Sequence, residues 1–208
     1  MNDGLKYFGG TSKGVHGLLR AAPLCALALI STAHELKETV SLSVSLTQDT
    51  HYVANPAILF RQLLARLATS PTTECLDVIV NLFSEAPVTK VDDYFTTAGG
   101  EVDLDYLRTI AANGRAHRVL AAGMYLATCD AELDGAIGFA GETADADGVA
   151  AVAGALIGAS TGVTPWMDEQ FAKHEYAWQI QMSLRDLFVV ALTTDEPLVA
   201  MAVRYPAW

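Results

Sequence analysis

The sequence predicts an all-α protein that folds as one compact multi-helix bundle. Apolar residues recur at intervals of three and four along most of the chain after residue 17, which is the spacing of a buried helix face. Only Ser41–Leu46 alternates like a strand, and no βαβ rhythm or internal repeat is present. Hydrophobic residues make up 51% of the 208 residues and charged residues 18%, which is enough apolar material for one core. No linker-like segment divides the chain, so we expect a single domain over residues 1–208.

The first half of the chain is predicted to open with a loop and to continue as helices. Five glycines make residues 1–17 loop-like. A helix is predicted over Leu18–Thr32, with Pro23 in its first turn, where a missing N–H costs little. His34–Leu46 has apolar residues four apart and is predicted as a helix, although its serine/valine part leaves a strand open. Asn55-Pro56 predicts the start of the next helix. Its apolar stripe comprises Ile58, Leu59, Leu63, Leu64 and Leu67.

The second half is predicted as a series of shorter helices separated by glycine and proline. The helix over Val149–Ser160 follows a turn-rich run, Gly141–Gly148, and ends before a break at Thr164-Pro165. Small residues recur four apart along it, so we expect it to pack closely at the centre of the bundle. After a restart at Ser70–Thr72, the other predicted helical pieces are Cys75–Phe83, Val91–Thr97, Val102–Ala112, Arg115–Cys129, Glu132–Phe139 and Phe171–Leu192.

Composition excludes some classes of function. Thirteen basic residues against 24 acidic ones give a net charge of −11, so we expect no nucleic-acid partner. The three cysteines have neither disulfide nor metal-ligand spacing, which suits a reducing compartment. The apolar run 21–30 follows Lys6, Lys13 and Arg20, an outline shared with secretory signals. Because that run contains Pro23 and is too short to span a bilayer, we expect a cytoplasmic protein without a membrane partner.

One segment with residues suited to chemistry is Asp145-Ala146-Asp147-Gly148, which leads into the small-residue helix. Two carboxylates in such a loop can turn toward one point and offer hard oxygen ligands to Mg²⁺, Mn²⁺ or Ca²⁺. The same spacing also describes acids in the first turn of a helix, with Asp147 as the cap. Spacing alone favours the cap. The expected central position of the helix favours a site, and both interpretations stay open here.

A second segment, Ser12-Lys13-Gly14, stands before the first predicted helix. Closely spaced glycines at a helix start can bring backbone N–H groups near phosphate or ribose oxygens, and Lys13 would add positive charge. The spacing matches neither a Walker loop nor a dinucleotide-binding GxGxxG. A flexible loop is the simpler interpretation of these residues taken alone.

In this order and separation, the two segments resemble the ADP-ribosylglycohydrolase family, which includes the dinitrogenase reductase-activating glycohydrolases. Residues 12–27 read SKGVHGLLRAAPLCAL, similar to the family's loop running into a Met-Arg-x-Ala-Pro helix, with Arg20, Ala22 and Pro23 in register. Thr50-His51 is similar to the family's Thr-His pair. Asp145 and Asp147 fall on the two aspartates of its Asp-Thr/Ser-Asp-Thr/Ser run. The resemblance extends roughly from Ser12 to Trp166.

The resemblance implies an orthogonal bundle of the ADP-ribosylglycohydrolase type and hydrolysis of the glycosidic bond between ADP-ribose and an acceptor. It implies that Asp145 and Asp147 are ligands of Mg²⁺ or Mn²⁺, which would hold the ribose and help to activate water. The expected partners are ADP-ribose or ADP-ribosylated protein. Four residues are implied to contact the ligand, namely Ser12, Lys13, Gly14 and His51.

Three departures from the family pattern leave other functions open. The family's opening Gly-Asp-x-x-Gly segment and Thr-Asp-Asp metal cluster have no counterpart before Ser12. Gly148 stands where the family has a hydroxyl-bearing ligand, and His16 stands where it usually has glycine. The alternatives to hydrolysis are a non-catalytic ADP-ribose-binding or regulatory module, and a structural fragment that self-associates or needs a complementing partner.

Overall fold

The computed structural model of the chain describes residues 10–29, 33–69, 77–79, 81, 91 and 99–192. Within these ranges the secondary structure is helical and no strand is present, so the predicted all-α class is confirmed. The helices pack into one compact arrangement around a shared hydrophobic core. They are α1 (His16–Ala21), a 3₁₀ helix (Ala22–Leu29), α2 (Ala33–Ser45), α3 (Thr50–Thr69), α4 (Leu104–Ile110), α5 (Ala116–Thr128), α6 (Leu133–Ala140), α7 (Ala146–Thr161), α8 (Pro165–Ala172) and α9 (Ala177–Leu192).

Helix α7 lies at the centre of this bundle. It packs most extensively on α5 and next on α6, and it also contacts α3 and α1. Its fully buried side chains are Val149, Val152, Ala153 and Leu156, with Ile157 nearly so. Burial of a valine or leucine side chain contributes roughly 1.5–3 kcal/mol, so α7 is held along most of its length. The expected central position is therefore correct.

The closest approach in the core is made by Gly123 of α5, against α7. A Cβ atom added at Gly123 would lie 2.6 Å from Val152 Cβ and 3.1 Å from the backbone nitrogen of Ala153. The small residues of α7 itself, which led to the prediction of close packing, do not make this close contact. A Cβ at Gly154 or Gly158 would make only ordinary contacts, at 3.7 Å and 3.6 Å. Close packing on α7 thus depends on a glycine of its neighbour.

Two predicted helix boundaries in the first half are wrong. Helix α3 begins at Thr50 and runs through Pro56, which is buried inside it. Asp49 Oδ1 accepts a hydrogen bond from the backbone N–H of His51 and so supports the earlier start. The predicted helix from Leu18 changes at Ala22 into the 3₁₀ helix, where Pro23 is the second residue. Residues 30–32 lie outside the described ranges.

Other predictions about the helices are confirmed. His34–Leu46 is helical almost throughout, as α2, and its apolar residues Leu36, Val40 and Val44 are buried, so the strand alternative is wrong. Most of the predicted stripe on α3 is buried. Residues 171–192 form parts of two helices, α8 and α9, with a turn at 173–176 between them. The predicted helices at Cys75–Phe83 and Val91–Thr97 lie largely outside the described residues.

One buried charge stands apart in the core. Arg61 of α3 is only 5% exposed, and its Nε and Nη1 have no hydrogen-bond partner in the described part of the chain. Its burial lowers the pKa of the guanidinium, and the nearby Cys25 thiol opposes that shift only in part. A buried donor without an acceptor costs free energy, so within the described part of the chain Arg61 is a point of low stability. No helix among the described residues is both long and apolar enough to cross a membrane.

Candidate functional site

The loop at residues 10–15 lies between the starts of helices α3 and α5. The backbone N–H of Asp49 donates to Ser12 O at 2.8 Å, and that of Ala116 donates to Lys13 O at 2.9 Å. Isolated bridges pair Ser12 with Gln48 and Gly14 with Arg115. Because α1 begins immediately after this loop, the first turns of three helices meet around it. The loop is therefore fixed by backbone hydrogen bonds, contrary to the flexible-loop interpretation.

Gln48 holds the loop from inside the bundle. Its side chain is buried, with 4% of the residue exposed. The orientation of the Gln48 amide is chosen so that both its oxygen and its nitrogen have suitable partners. In that orientation the nitrogen is within donating distance of Ser12 O at 3.0 Å, Gly14 O at 3.2 Å and Ser12 Oγ at 3.2 Å. Sequence reasoning missed Gln48, because its role depends on a contact with a segment more than thirty residues earlier. Its position just before a helix start gave only a weak signal.

Two glycines make room for the Asp145 carboxylate at the start of α7. A Cβ at Gly114, in the turn before α5, would lie 2.6 Å from Asp145 Oδ2. A Cβ at Gly148 would lie 2.9 Å from Asp145 Oδ1 and 3.0 Å from Val15 Cγ1. Either side chain would displace the carboxylate. The geometry thus accounts for Gly148, which the sequence could identify only as the loss of a hydroxyl.

Asp145 and Asp147 lie side by side at this helix start. Helix α7 begins at Ala146, earlier than predicted, so Asp145 occupies the cap position and Asp147 lies in the first turn. The predicted cap, Asp147, is not in the capping position. The Asp145 carboxylate makes no capping hydrogen bond of full geometry, although the Gly148 N–H lies close enough to act on it. Burial raises the pKa of Asp145, and the hydrogen bond and negative charge of Asp147 raise it further. The backbone N–H of Gly148 and the His16 side chain act in the opposite direction.

Part of the rise in the Asp145 pKa, beyond the larger effect of burial, comes from the nearby Asp147 carboxyl group. A shared proton relieves the repulsion, and a bound cation would relieve it in the same way. His16, exposed at the start of α1, is near enough to influence Asp145. His16, which stands where the ADP-ribosylglycohydrolases usually have glycine, therefore lies beside the carboxyl pair.

Lys13 and His51 group around Tyr52 at the start of α3. Lys13 Nζ lies 3.7 Å from the centre of the Tyr52 ring, and the exposed His51 ring meets the same tyrosine edge to face at 5.1 Å between ring centres. The loop that carries Ser12, Lys13 and Gly14 therefore borders the start of α7, where Asp145 and Asp147 lie, through its last residue, Val15. His51 is linked to this loop through Asp49, which bonds to both His51 and Ser12, and through Tyr52, and no described contact joins it to the carboxyl pair.

The carboxyl pair lacks a third acidic, histidine or cysteine ligand in the described part of the chain. No group of three or more histidine, cysteine, aspartate or glutamate side chains is close enough there to hold a metal ion. Asp49 and His51 are thus not part of a metal cluster with Asp145.

Comparison with known proteins adds no relative. No protein-family model, curated protein or solved structure matches the chain. The resemblance to the ADP-ribosylglycohydrolases therefore depends only on the motifs quoted above.

Proposed function

We propose that this chain is an ADP-ribosylglycohydrolase-like protein that binds ADP-ribose at the start of α7 and hydrolyses its glycosidic bond to an acceptor. One observation carries the proposal. The two segments that resemble the family, far apart in the sequence, meet in space: Val15 contacts the position of Gly148, and His16 lies near Asp145. Packing alone does not require the resembling residues to meet at one place.

The electrostatics of this face support an anionic ligand despite the net charge of −11. The first turns of α1, α3 and α5 lie around residues 10–15. Helix N-termini carry partial positive charge and exposed N–H groups, which attract phosphate. Lys13 adds a full positive charge beside them, since its ammonium is held over Tyr52. The diphosphate of ADP-ribose would lie along this loop.

Asp145 and Asp147 would hold one Mg²⁺ or Mn²⁺ ion. Mg²⁺ is commonly bound through one or two carboxylates, with water and substrate oxygens completing six ligands. The pair fits one such ion and is short of ligands for two. When bound, the ion would supply a Lewis acid that polarises a ribose or water oxygen.

The chain's own residues have distinct roles in this proposal. Gly114 and Gly148 leave the space that keeps Asp145 turned toward Asp147, and Gln48 fixes the loop that would receive the diphosphate. The His16 imidazole, near Asp145, would lie close to the ribose of a ligand bound at the carboxyl pair. Asp145 must lose its proton before it can bind a cation, so metal affinity will rise as the pH rises through its elevated pKa.

The test is release of ADP-ribose from a mono-ADP-ribosylated protein in the presence of Mg²⁺ or Mn²⁺. We expect Asp145→Asn and Asp147→Asn each to lower the rate at least about tenfold, the usual cost of disturbing a metal site. Asp168→Asn is the matched control, because Asp168 is an exposed acid in the first turn of α8. If both site variants release ADP-ribose as fast as the wild type does, the assignment of the two aspartates as metal ligands is contradicted.

A second test uses the space around Asp145 without removing a carboxylate. Gly148→Ala would press a methyl group against Asp145 Oδ1, so we expect weaker Mn²⁺ binding. Gly138→Ala is its control, because a Cβ at Gly138 meets nothing within 4 Å. Mn²⁺ affinity can be followed by electron paramagnetic resonance. Equal affinity in both variants would show that the carboxyl pair is not the ligand.

One observation favours a second candidate, a module that binds ADP-ribose without hydrolysing it. The carboxyl pair has no third acidic, histidine or cysteine partner among the described residues, so activation of water is less well supported than binding. Calorimetry with ADP-ribose and Mg²⁺ separates the two candidates. Heat of binding without release from the modified protein supports the module, and release supports the hydrolase.

A further inference from the structure

A cleft of about 640 Å³ lies at the other end of α7 from the carboxyl pair. It is formed where α5 and α7 end and where α6 and α8 begin. Its volume is within the range of sites that bind small molecules or single side chains, about 300–1,000 Å³. With α7 rising about 1.5 Å per residue over its 16 residues, the cleft is a separate place on the molecule.

The walls of the cleft are largely apolar. The apolar residues that line it are Leu133, Ile157, Pro165 and Trp166, and Trp166 is 40% exposed. Thr164 fixes this tryptophan, because its hydroxyl accepts a hydrogen bond from the backbone N–H of Met167 and so caps α8. A half-exposed indole held by a capped helix offers a fixed aromatic face to a ligand.

The rim of the cleft is acidic. Asp130, Glu132 and Asp134 line it and are exposed. None of the three forms an ion pair with a described residue, whereas nearby Glu142 is paired with Arg108 at 2.6 Å. The C-terminal ends of α5 and α7 add partial negative charge. The starts of α6 and α8 carry the opposite partial charge and offset part of this negative charge. Asp134 Oδ1 also accepts a hydrogen bond from the Gly135 N–H.

We propose that this cleft binds an arginine or lysine side chain of a basic peptide segment. The apolar walls suit the methylene stem of such a side chain, the acidic rim suits its charged head, and the Trp166 ring can stack on a cation. Charge complementarity selects this occupant, because three carboxylates without ion-pair partners repel an anion and attract a cationic donor more strongly than a neutral one. The inference is independent of the proposed function at the start of α7.

Calorimetric titration of the full chain with the peptide acetyl-Ala-Leu-Arg-Leu-Ala-amide tests the proposal. The comparison peptide carries citrulline in place of arginine, which keeps the shape and removes the charge. We expect the arginine peptide to bind at least tenfold more tightly than the citrulline peptide, and its affinity to fall with added salt. Equal binding of the two peptides, or no binding of either, overturns the proposal.

Variants locate the binding on the chain. We expect the double variant Glu132→Gln/Asp134→Asn to weaken the arginine peptide at least tenfold, and Trp166→Leu to weaken it severalfold. Glu101→Gln is the control, an exposed acid outside the cleft. Far-ultraviolet circular dichroism checks that each variant is folded. If Glu101→Gln weakens binding as much as a single rim substitution such as Glu132→Gln, the peptide responds only to net charge and the cleft is not its site.

Discussion

At its N-terminal end, helix α7 meets the end of the loop at residues 10–15, the start of α1 and the turn before α5. There, tight packing holds two carboxyl groups together. At its C-terminal end, the same helix borders an open cleft whose acidic groups stand apart in solvent. The N-terminal end carries two carboxyl groups and the C-terminal end three, so both ends are acidic, but the groups are arranged differently. Convergent carboxylates among helix N-termini suit a metal ion and a phosphate, whereas dispersed ones beside an indole suit an organic cation.

The surroundings of an acidic residue therefore decide what it can bind. Asp145 lies between two glycines and beside a second carboxyl group, and its pKa is raised. Asp134 makes one local hydrogen bond at the start of α6 and is otherwise free to meet solvent. The following predictions test this contrast, in order of the expected change in stability.

The carboxyl pair and the cleft can act as separate sites only if α7, which lies between them, is held rigidly in the bundle. Gly123→Ala would force α5 away from Val152 and Ala153, and we expect it to lower the free energy of unfolding by about 3 kcal/mol. Gly154→Ala is the control. Its Cβ would make only an ordinary contact, so we expect a gain of about 0.5–1 kcal/mol from helix propensity. Urea denaturation measures both, and a neutral Gly123→Ala would contradict the close approach.

A buried polar group that lacks hydrogen-bond partners is not by itself evidence of a binding site, and Arg61 provides a test of this. Arg61 lies at neither end, and its Nε and Nη1 have no described acceptor. We expect Arg61→Met to raise the free energy of unfolding by about 1–2 kcal/mol, because it removes unsatisfied buried donors. Binding at both ends of α7 should be unchanged. A destabilised variant would mean that Arg61 has a partner that the described residues do not include.

The smallest expected change in stability belongs to Asp145→Asn in metal-free protein. The pKa of Asp145 is raised in the folded state. The protonated Asp145 carboxyl group is therefore favoured in the folded state. Its contribution to the free energy of unfolding is fully present below the pKa of an unfolded aspartate, about 3.9, and is lost as the pH rises through the raised pKa of the folded state.

Near pH 7 the wild-type carboxylate thus opposes folding slightly. We expect Asp145→Asn to be more stable there by about 0.5 kcal/mol, because solvent screens a half-buried pair. Thermal unfolding between pH 3 and 8 without divalent ions measures the effect. A stability gap that narrows as the pH rises would contradict the assigned direction of the pKa shift.

Much of the bundle could be predicted because its signals are local. The periodic apolar residues of α2 predicted a helix despite the alternating serines, and the small residues after Asp147 predicted a helix that lies at the centre. Pro56 misled because a proline commonly marks a helix start, yet here the buried stripe of α3 outweighs one lost backbone hydrogen bond.

The parts of the candidate site that could not be predicted depend on contacts between distant segments. The sequence identified Asp145 and Asp147 and the loop at Ser12–Gly14. It could not show that Gly114 leaves the space for Asp145, or that Gln48 holds the loop, since neither residue differs locally from an ordinary turn residue. The cleft beside Trp166 was missed for the same reason.

Chemical-shift mapping by two-dimensional NMR tests the central contrast most directly. The labelled chain would be titrated once with ADP-ribose and Mg²⁺ and once with the arginine peptide. We expect the nucleotide to shift amide signals of residues 12–16 and 145–148, and the peptide to shift those of residues 129–134 and 161–166. Two ligands that shift the same set of signals, or a nucleotide that leaves residues 145–148 unchanged, would contradict the account.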